Sequence, residues 1–384
     1  MRFGVAVCIL RSRCALLNLL LLTIFVQTAS AAPLACHAKS AQSQESAQSV
    51  AMRVVNASNV PALIAWIDFE GKQDLRFLLQ SGKSETQNTF ATHPWIAIST
   101  TGDCMCGHIA EADAQGRDEW VIDPFEPTAN YSKRLLSSFA TNVSARLVAD
   151  TTVHGKSTAH VEHMLSDMAA KLPQPVVVAL RKTTPVWVEL SDCRSPAGTY
   201  HPSIDWLADN GVNPDKAKGV QVTADHLYYS EQQPAMMLHE FAHAFHDRFL
   251  RFDNAEVLKA YAQACRSRKY ESVSHVNGKK VRAYALVNQM EFFAELSEAY
   301  FWRNDMEPFD RDGLAEFDPA SMRVVERLWR TALGKPNTGD TGAPMTCAEG
   351  NFGDSALNDR VARDSERGPM FFSTMTKPWS EPLN

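Results

Sequence analysis

Gln233-Pro-Ala-Met-Met-Leu-His239-Glu240-Phe-Ala-His243-Ala-Phe-His246-Asp247-Arg-Phe-Leu250 reads as one helix, expected over about residues 234–250. Met236, Leu238, Phe241, Ala244 and Phe245 fall at helical spacing and form its inner positions. Ser230 is the expected cap, and Pro234 sits in the first turn, where its missing N–H costs little. Histidines four apart stand one above the other on a helix face, so His239 and His243 can reach one zinc ion. Glu240 projects beside that point and is placed to take a proton from water as a general base.

Such an ion needs a third protein ligand and an open position. A third histidine on the same stretch is not available in the extended pattern, because position 249 is Phe249. His246 shares nearly the face of His243, but one helix cannot wrap three of its own side chains around a tetrahedral ion, so His246 is expected behind the site or in packing. A carboxylate from another helix is the better candidate. The segment 287–303 supplies Glu291, Glu295 and Glu298 on one face of a helix whose other face carries Phe292, Phe293, Leu296 and Ala299. Three carboxylates so placed repel one another unless a cation stands among them. Asp247, four residues after His243, is a further candidate to orient a ligand histidine.

Around this segment the chain has 384 residues, 45% apolar and 21% charged, a globular composition, and its length favours two domains. The net charge of −6 gives no global attraction to nucleic acid or anionic membranes, so neither is an expected partner. Arg2, Arg11 and Arg13 precede the apolar run Cys14 to Val26, and Thr28-Ala29-Ser30-Ala31-Ala32 follows. This reads as a signal peptide over 1–31, cleaved near Ala31, which makes the expected location extracytoplasmic, secreted or periplasmic, with no membrane attachment afterwards. Cys36, Cys104, Cys106, Cys193, Cys265 and Cys347 then remain, an even number that permits disulfides in an exported chain. Cys104-Met-Cys106-Gly-His108 lacks a second Cys/His pair and reads as a strand edge, with a structural or free thiol, rather than a metal ribbon.

Residues 32–49 are polar and aperiodic, a flexible leader. Over 50–125, short apolar runs alternate with turn signals at Gly71, Gly82 and Gly102, which predicts a small all-β sandwich. Residues 126–150 read as a linker. Residues 151–335 read as an α+β domain, with helices from His160, over 234–250, 254–266 and 287–303, and from Asp318. Strands are expected at Pro185–Leu190 and Gly219–Val222, and a hairpin turns at Asn277-Gly278. Residues 336–384, rich in Gly, Pro, Thr and Asp, read as a loosely ordered tail.

His239-Glu240-x-x-His243, then Tyr284, Asn288 and Glu291-Phe-Phe-Ala-Glu295, resembles the catalytic domain of anthrax toxin lethal factor and related bacterial gluzincin metallopeptidases. The resemblance implies a zincin-like fold and one Zn2+ per chain held by His239, His243 and Glu291. It implies Glu295 behind the ligands, orienting a histidine, and Tyr284 assisting at the reacting carbonyl or amine. Asn56-x-Ser58, Ala65-Trp66-Ile-Asp-Phe69-x-Gly71, Leu79-x-x-Gly82, Thr89-Phe-x-x-His93-Pro-Trp95 and Gly102-x-Cys104 resemble the von Hippel–Lindau tumour suppressor β domain. That resemblance implies a peptide pocket at Trp66, Thr89, His93 and Trp95, with Arg76 where the family has tyrosine, and a proline-containing ligand.

Together these readings predict a multi-domain chain: a von Hippel–Lindau-like β sandwich followed by a gluzincin zinc metalloendopeptidase acting on peptide or protein substrates. The competing reading is a non-catalytic recognition or adhesion protein whose second domain keeps zinc only for stability.

Overall fold

The computed structural model describes residues 42–347 except 101, 103, 124, 152–153, 191–197, 225–232, 332, 335, 338 and 340–341. The expected signal peptide over 1–31, Ser230, Cys36 and Cys193 lie outside the described residues. No helix among the described residues is long and apolar enough to cross a membrane.

The N-terminal region is built from strands β1 (Ser49–Asn56), β2 (Ala62–Ile67), β3 (Gln73–Leu79), β4 (Ser84–Phe90), β5 (Pro94–Ser99), β6 (Cys104–Ile109) and β7 (Arg117–Ile122). They form a four-stranded antiparallel sheet, β3-β2-β5-β6, and a three-stranded sheet, β4-β1-β7, in which β7 runs parallel to β1. Alternation along β1 turns Val50, Met52 and Val54 inward, against Ile64, Trp95, Ala97, Met105, Trp120 and Ile122. β5 is buried on both faces, as its unbroken run Pro-Trp-Ile-Ala-Ile-Ser requires. Cys106 on β6 is disulfide-bonded, and His108 hydrogen-bonds Asp118 at 2.8 Å.

Residues read as a linker instead complete the second sheet. β8 (Tyr131–Leu136) and β9 (Phe139–Ser144) form a hairpin whose turn, Ser137-Ser138, has positive φ at both residues. Serine seldom takes that conformation, so the turn carries no glycine or asparagine signal. Glu126 ties the approach down: it accepts from Ser144 Oγ at 2.5 Å and from the Ala145 N–H at 3.1 Å. After the short helix α1 (Ala145–Ala149) come α2 (His154–Lys171), α3 (Gln174–Thr183), β10 (Val186–Glu189), β11 (Gly198–Tyr200), α4 (Ile204–Asp209) and β12 (Val220–Thr223). The five-stranded sheet has the order β11-β12-β10-β9-β8, with its three central strands parallel and both edge strands antiparallel.

The helical layer follows: α5 (Met236–Phe245), α6 (Ala255–Ser267), the small hairpin β13 (Val273–Ser274) and β14 (Lys280–Val281), α7 (Gln289–Phe301), α8 (Arg311–Phe317) and α9 (Pro319–Thr331). The chain is therefore N-terminal β-sheets followed by an α+β region. α5 continues as a π-helical turn, His246–Leu250, so the expected single helix changes its winding after the motif. Phe245 of α5 stacks on Trp329 of α9 at 4.1 Å between ring centres, and Phe293 of α7 stacks on the same indole at 5.9 Å. Phe241 meets Phe139 of β9 edge-on at 5.1 Å. These rings fix α5 between the sheet and α7.

The polar ends differ from expectation where hydrogen bonds and a disulfide hold them. Ser43 of the leader is buried against β2. In the tail, Cys347 is bonded to Cys265 of α6, and Gln289 binds the Ala343 carbonyl at 2.9 Å and the Met345 N–H at 2.7 Å. The bond closes a loop with sequence separation 82. Replacing Cys265 and Cys347 by alanine is expected to lower unfolding free energy by about 2–4 kcal/mol, read as a shift of the denaturant midpoint; an unchanged midpoint would refute this anchoring of the tail.

Candidate metal site

α7 starts at Asn288, whose side-chain oxygen accepts from the N–H groups of Met290 (2.8 Å) and Glu291 (2.9 Å). The cap fixes Glu291 in the first turn, where the helix dipole favours a carboxylate. α5 and α7 then bring three donors together. His239 Nε2 lies 3.0 Å from His243 Nε2 and 3.0 Å from Glu291 Oε2, and His243 Nε2 lies 3.4 Å from the same oxygen. Donors bonded to one ion at 2.0–2.1 Å in tetrahedral directions stand about 3.3 Å apart, so this triangle has the size of one face of a zinc-like coordination shell. His239, His243 and Glu291 can thus hold a metal ion.

The protonation pattern supports the fit. His239 Nδ1 is 2.6 Å from Glu298 Oε1 and donates its proton there, so that Nε2, carrying a proton or a cation, faces Glu291. Burial works against a charge on His239, yet hydrogen bonds to Glu291 and Glu298 outweigh it and hold its pKa well above the ordinary histidine value. Burial likewise opposes ionisation of Glu291, and the neighbouring His243 and His239 outweigh it and hold that carboxylate well below its usual range. The cluster stabilises positive charge at the point where a cation would sit.

The carboxylate behind His239 is Glu298 rather than the expected Glu295. Glu298 is 2% exposed and makes the short bond, while Glu295 Oε1 stands 3.5 Å from Nδ1 and its other oxygen accepts from Asn304 at 3.2 Å. Glu298 is one turn beyond Glu295, and the apolar company of this helix in the sequence was the signal for it. Asp247 is fully buried, but its carboxylate is engaged by Tyr200 Oη (2.5 Å) and Lys218 Nζ (2.8 Å). His246 is a packing residue. Among the described residues neither ring nitrogen has a hydrogen-bond partner, the ring lies against Phe252 and Phe293, and burial followed by the His243 charge lowers its pKa to about 3.

Glu240 is held by a feature the sequence did not announce. The edge strand β11 passes so close to α5 that a Cβ at Gly198 would meet Glu240 Cγ at 3.1 Å, and the Tyr200 N–H donates to Glu240 Oε2 at 2.7 Å. A three-residue strand is too short to be legible from periodicity. Burial raises the Glu240 pKa, partly offset by His239 and His243. Tyr284 lies in a 3-10 turn before α7, with its ring 6.4 Å from that of His239. Burial, then the charges of Glu291, Glu295 and Glu240, push its phenol pKa well above the ordinary value, so it stays a proton donor.

The five β-domain residues also meet. Trp66 stacks on His93 (5.4 Å), the Arg76 guanidinium lies over Trp66 (5.2 Å), Trp95 Nε1 donates to Thr89 Oγ1 (3.1 Å), and Thr89 Oγ1 is 3.3 Å from His93 Nδ1. Models of known protein families and the sequences of characterised proteins give no match to this chain.

Metal analysis tests the site. One divalent ion per chain is expected, lost in His243→Ala and Glu291→Ala. Glu298→Gln is expected to weaken metal affinity about 10–100-fold in chelator competition, and Glu295→Gln less. Equal losses in the two glutamine variants would contradict the assignment of Glu298.

Proposed function

We propose that this chain is an exported zinc metalloendopeptidase of the HExxH gluzincin type, with an N-terminal β module that binds peptide. The observation that carries the reading is the position of Glu240. It is buried, near enough to His239, His243 and Glu291 for their charges to act on it, and one carboxylate oxygen accepts from the Tyr200 N–H. The resemblance to lethal factor-type catalytic domains supports the same assignment. The histidine-rich, one-carboxylate donor set suits zinc.

Bound zinc supplies Lewis acidity, polarising a peptide carbonyl and acidifying water. The chain's own groups do the rest. Glu240 accepts a proton from the attacking water and returns it to the leaving amine; its raised pKa brings the two protonation states closer in energy. Tyr200 orients that carboxylate through its main chain. Tyr284, kept protonated by its surroundings, donates a hydrogen bond to the developing oxyanion or the amine. Glu298 holds His239 in the tautomer that presents Nε2.

An extracytoplasmic location is supported by the signal-like N-terminus and by the Cys265–Cys347 disulfide, since such bonds persist in oxidising compartments. The competing reading, a recognition protein with an inactive zinc domain, has no need of a buried general base. Hydrolysis of an unfolded protein substrate is expected to fall roughly 10²–10⁴-fold in Glu240→Ala with one zinc per chain retained. Zinc-loaded wild type that cleaves no substrate in a proteome-wide terminomic screen would contradict the proposal.

A further inference from the structure

Residues 266–282 carry Arg266, Arg268, Lys269, Lys279, Lys280 and Arg282 against a single carboxylate, Glu271, in a chain whose net charge is −6. All of these cations are exposed. Arg268, in the left-handed region at φ 56°, ends α6 and turns the chain into Lys269 and Tyr270. The β13–β14 hairpin then brings the second group of charges alongside the first. Ser274 pairs with Lys280, the Ala283 N–H donates to the Tyr270 carbonyl at 2.9 Å, and the Arg282 guanidinium meets Glu271 at 3.1 Å. Folding thus gathers cations from two stretches of chain onto one surface.

The dipole of α6 favours cations in its last turn, but those of the hairpin gain nothing from it. Few of them are neutralised. Glu271 pairs with Arg282, and Glu307 lies 3.5 Å from Lys280 Nζ. Both pairs are solvent-exposed, and such pairs are worth little, so either can be exchanged for an incoming carboxylate. Among the described residues Arg268 and Lys279 make no ion pair.

The surface borders the candidate active site. Arg282 Nη2 donates to the Leu286 carbonyl at 3.3 Å, in the 3-10 turn that carries Tyr284. His275 of the hairpin bridges to Met306, whose sulfur accepts from the Tyr284 N–H at 3.3 Å. A peptide extending from Tyr284 towards the hairpin runs onto the cations.

We propose that this basic surface is a docking site for an acidic stretch of the peptide substrate, beside the bond to be cleaved. This rests on the peptidase reading and adds a substrate class to it. Clustered guanidinium and ammonium groups concentrate carboxylates over a range of about 8–10 Å at physiological salt. The rest of the chain is more acidic than the −6 total and repels an extended polyanion, which favours a short acidic peptide over nucleic acid or an anionic membrane.

The test is a binding measurement on the full chain carrying Glu240→Ala, so that hydrolysis plays no part. The probes are two fluorescein-labelled peptides of about twelve residues, one alternating Glu and Gly, the other Gln and Gly. The Glu peptide is expected to bind at least about tenfold tighter in about 50 mM salt, and to lose that advantage in about 0.5 M salt. The added triple substitution Arg268→Asn, Lys279→Gln and Lys280→Gln is expected to weaken the Glu peptide at least about fivefold and to leave the Gln peptide unchanged; asparagine tolerates the left-handed conformation at position 268. Lys133→Gln with Arg134→Gln, which removes exposed cations from edge strand β8, is expected to change neither peptide. Equal affinity for the two peptides, or an equal loss in the β8 variant, would overturn the proposal. Binding of a sulfated polysaccharide at this surface, with no preference between the peptides, would overturn the assignment to an acidic peptide. A wild-type chain that hydrolyses nothing, while the Glu peptide still binds at these cations, would refute the peptidase reading and leave the docking surface standing.

Discussion

Three potential ligand atoms from two helices converge on one place, and the fold is arranged to keep them there. His239 and His243 come from α5 and Glu291 from the first turn of α7, about fifty residues later in the chain, yet their donor atoms stand 3.0–3.4 Å apart. Burying such a cluster of polar groups costs free energy unless they satisfy one another or a cation. It persists because each helix is fixed from behind. Phe245, Phe293 and Trp329 cluster with near-parallel rings across α5, α7 and α9, and the Trp329 indole donates to Ser297 Oγ at 2.9 Å. The Asn288 cap sets where α7 begins, and so where Glu291 points.

The electrostatics have two layers. Glu291 faces the point where the imidazoles converge, while Glu298 takes the proton on the far nitrogen of His239, so one imidazole is gripped at both ends. β11 supplies the other constraint, a main-chain N–H on Glu240, and runs close beside it at Gly198, where a Cβ would crowd Glu240 Cγ at 3.1 Å. Tyr200 also donates its hydroxyl to Asp247, which Lys218 pairs, so the edge strand, the π-helical turn after the motif and the sheet are joined in one buried polar chain. The proposed peptidase function needs a base that cannot swing away, and the Tyr200 N–H holds one oxygen of the Glu240 carboxylate in place.

Much of this was legible in the residues. The His239–His243 spacing, the carboxylate face of 287–303, the Asn277-Gly278 hairpin and the turn-punctuated N-terminal strands all rest on periodicity or turn chemistry, which a sequence carries openly. What escaped it was set by tertiary context. The β8–β9 hairpin turns at two serines with positive φ, a conformation serine does not advertise. Glu298 lies nearer His239 Nδ1 than Glu295 does, at 2.6 Å against 3.5 Å, a difference about which helical spacing is silent. The polar leader and the start of the tail looked loose because their anchors are long-range: Ser43 on Trp66, and Cys347 on Cys265. Asp247 and His246 differ by one position, and only packing decided that one joins a hydrogen-bond chain while the other lies between aromatic rings.

X-ray absorption at the zinc K-edge of the full chain tests the central claim most directly. The account predicts a first shell of nitrogen and oxygen donors at about 2.0–2.1 Å with the multiple-scattering signature of two imidazoles, reduced to one in His243→Ala. A shell containing sulfur, or one with no imidazole signature, would contradict it.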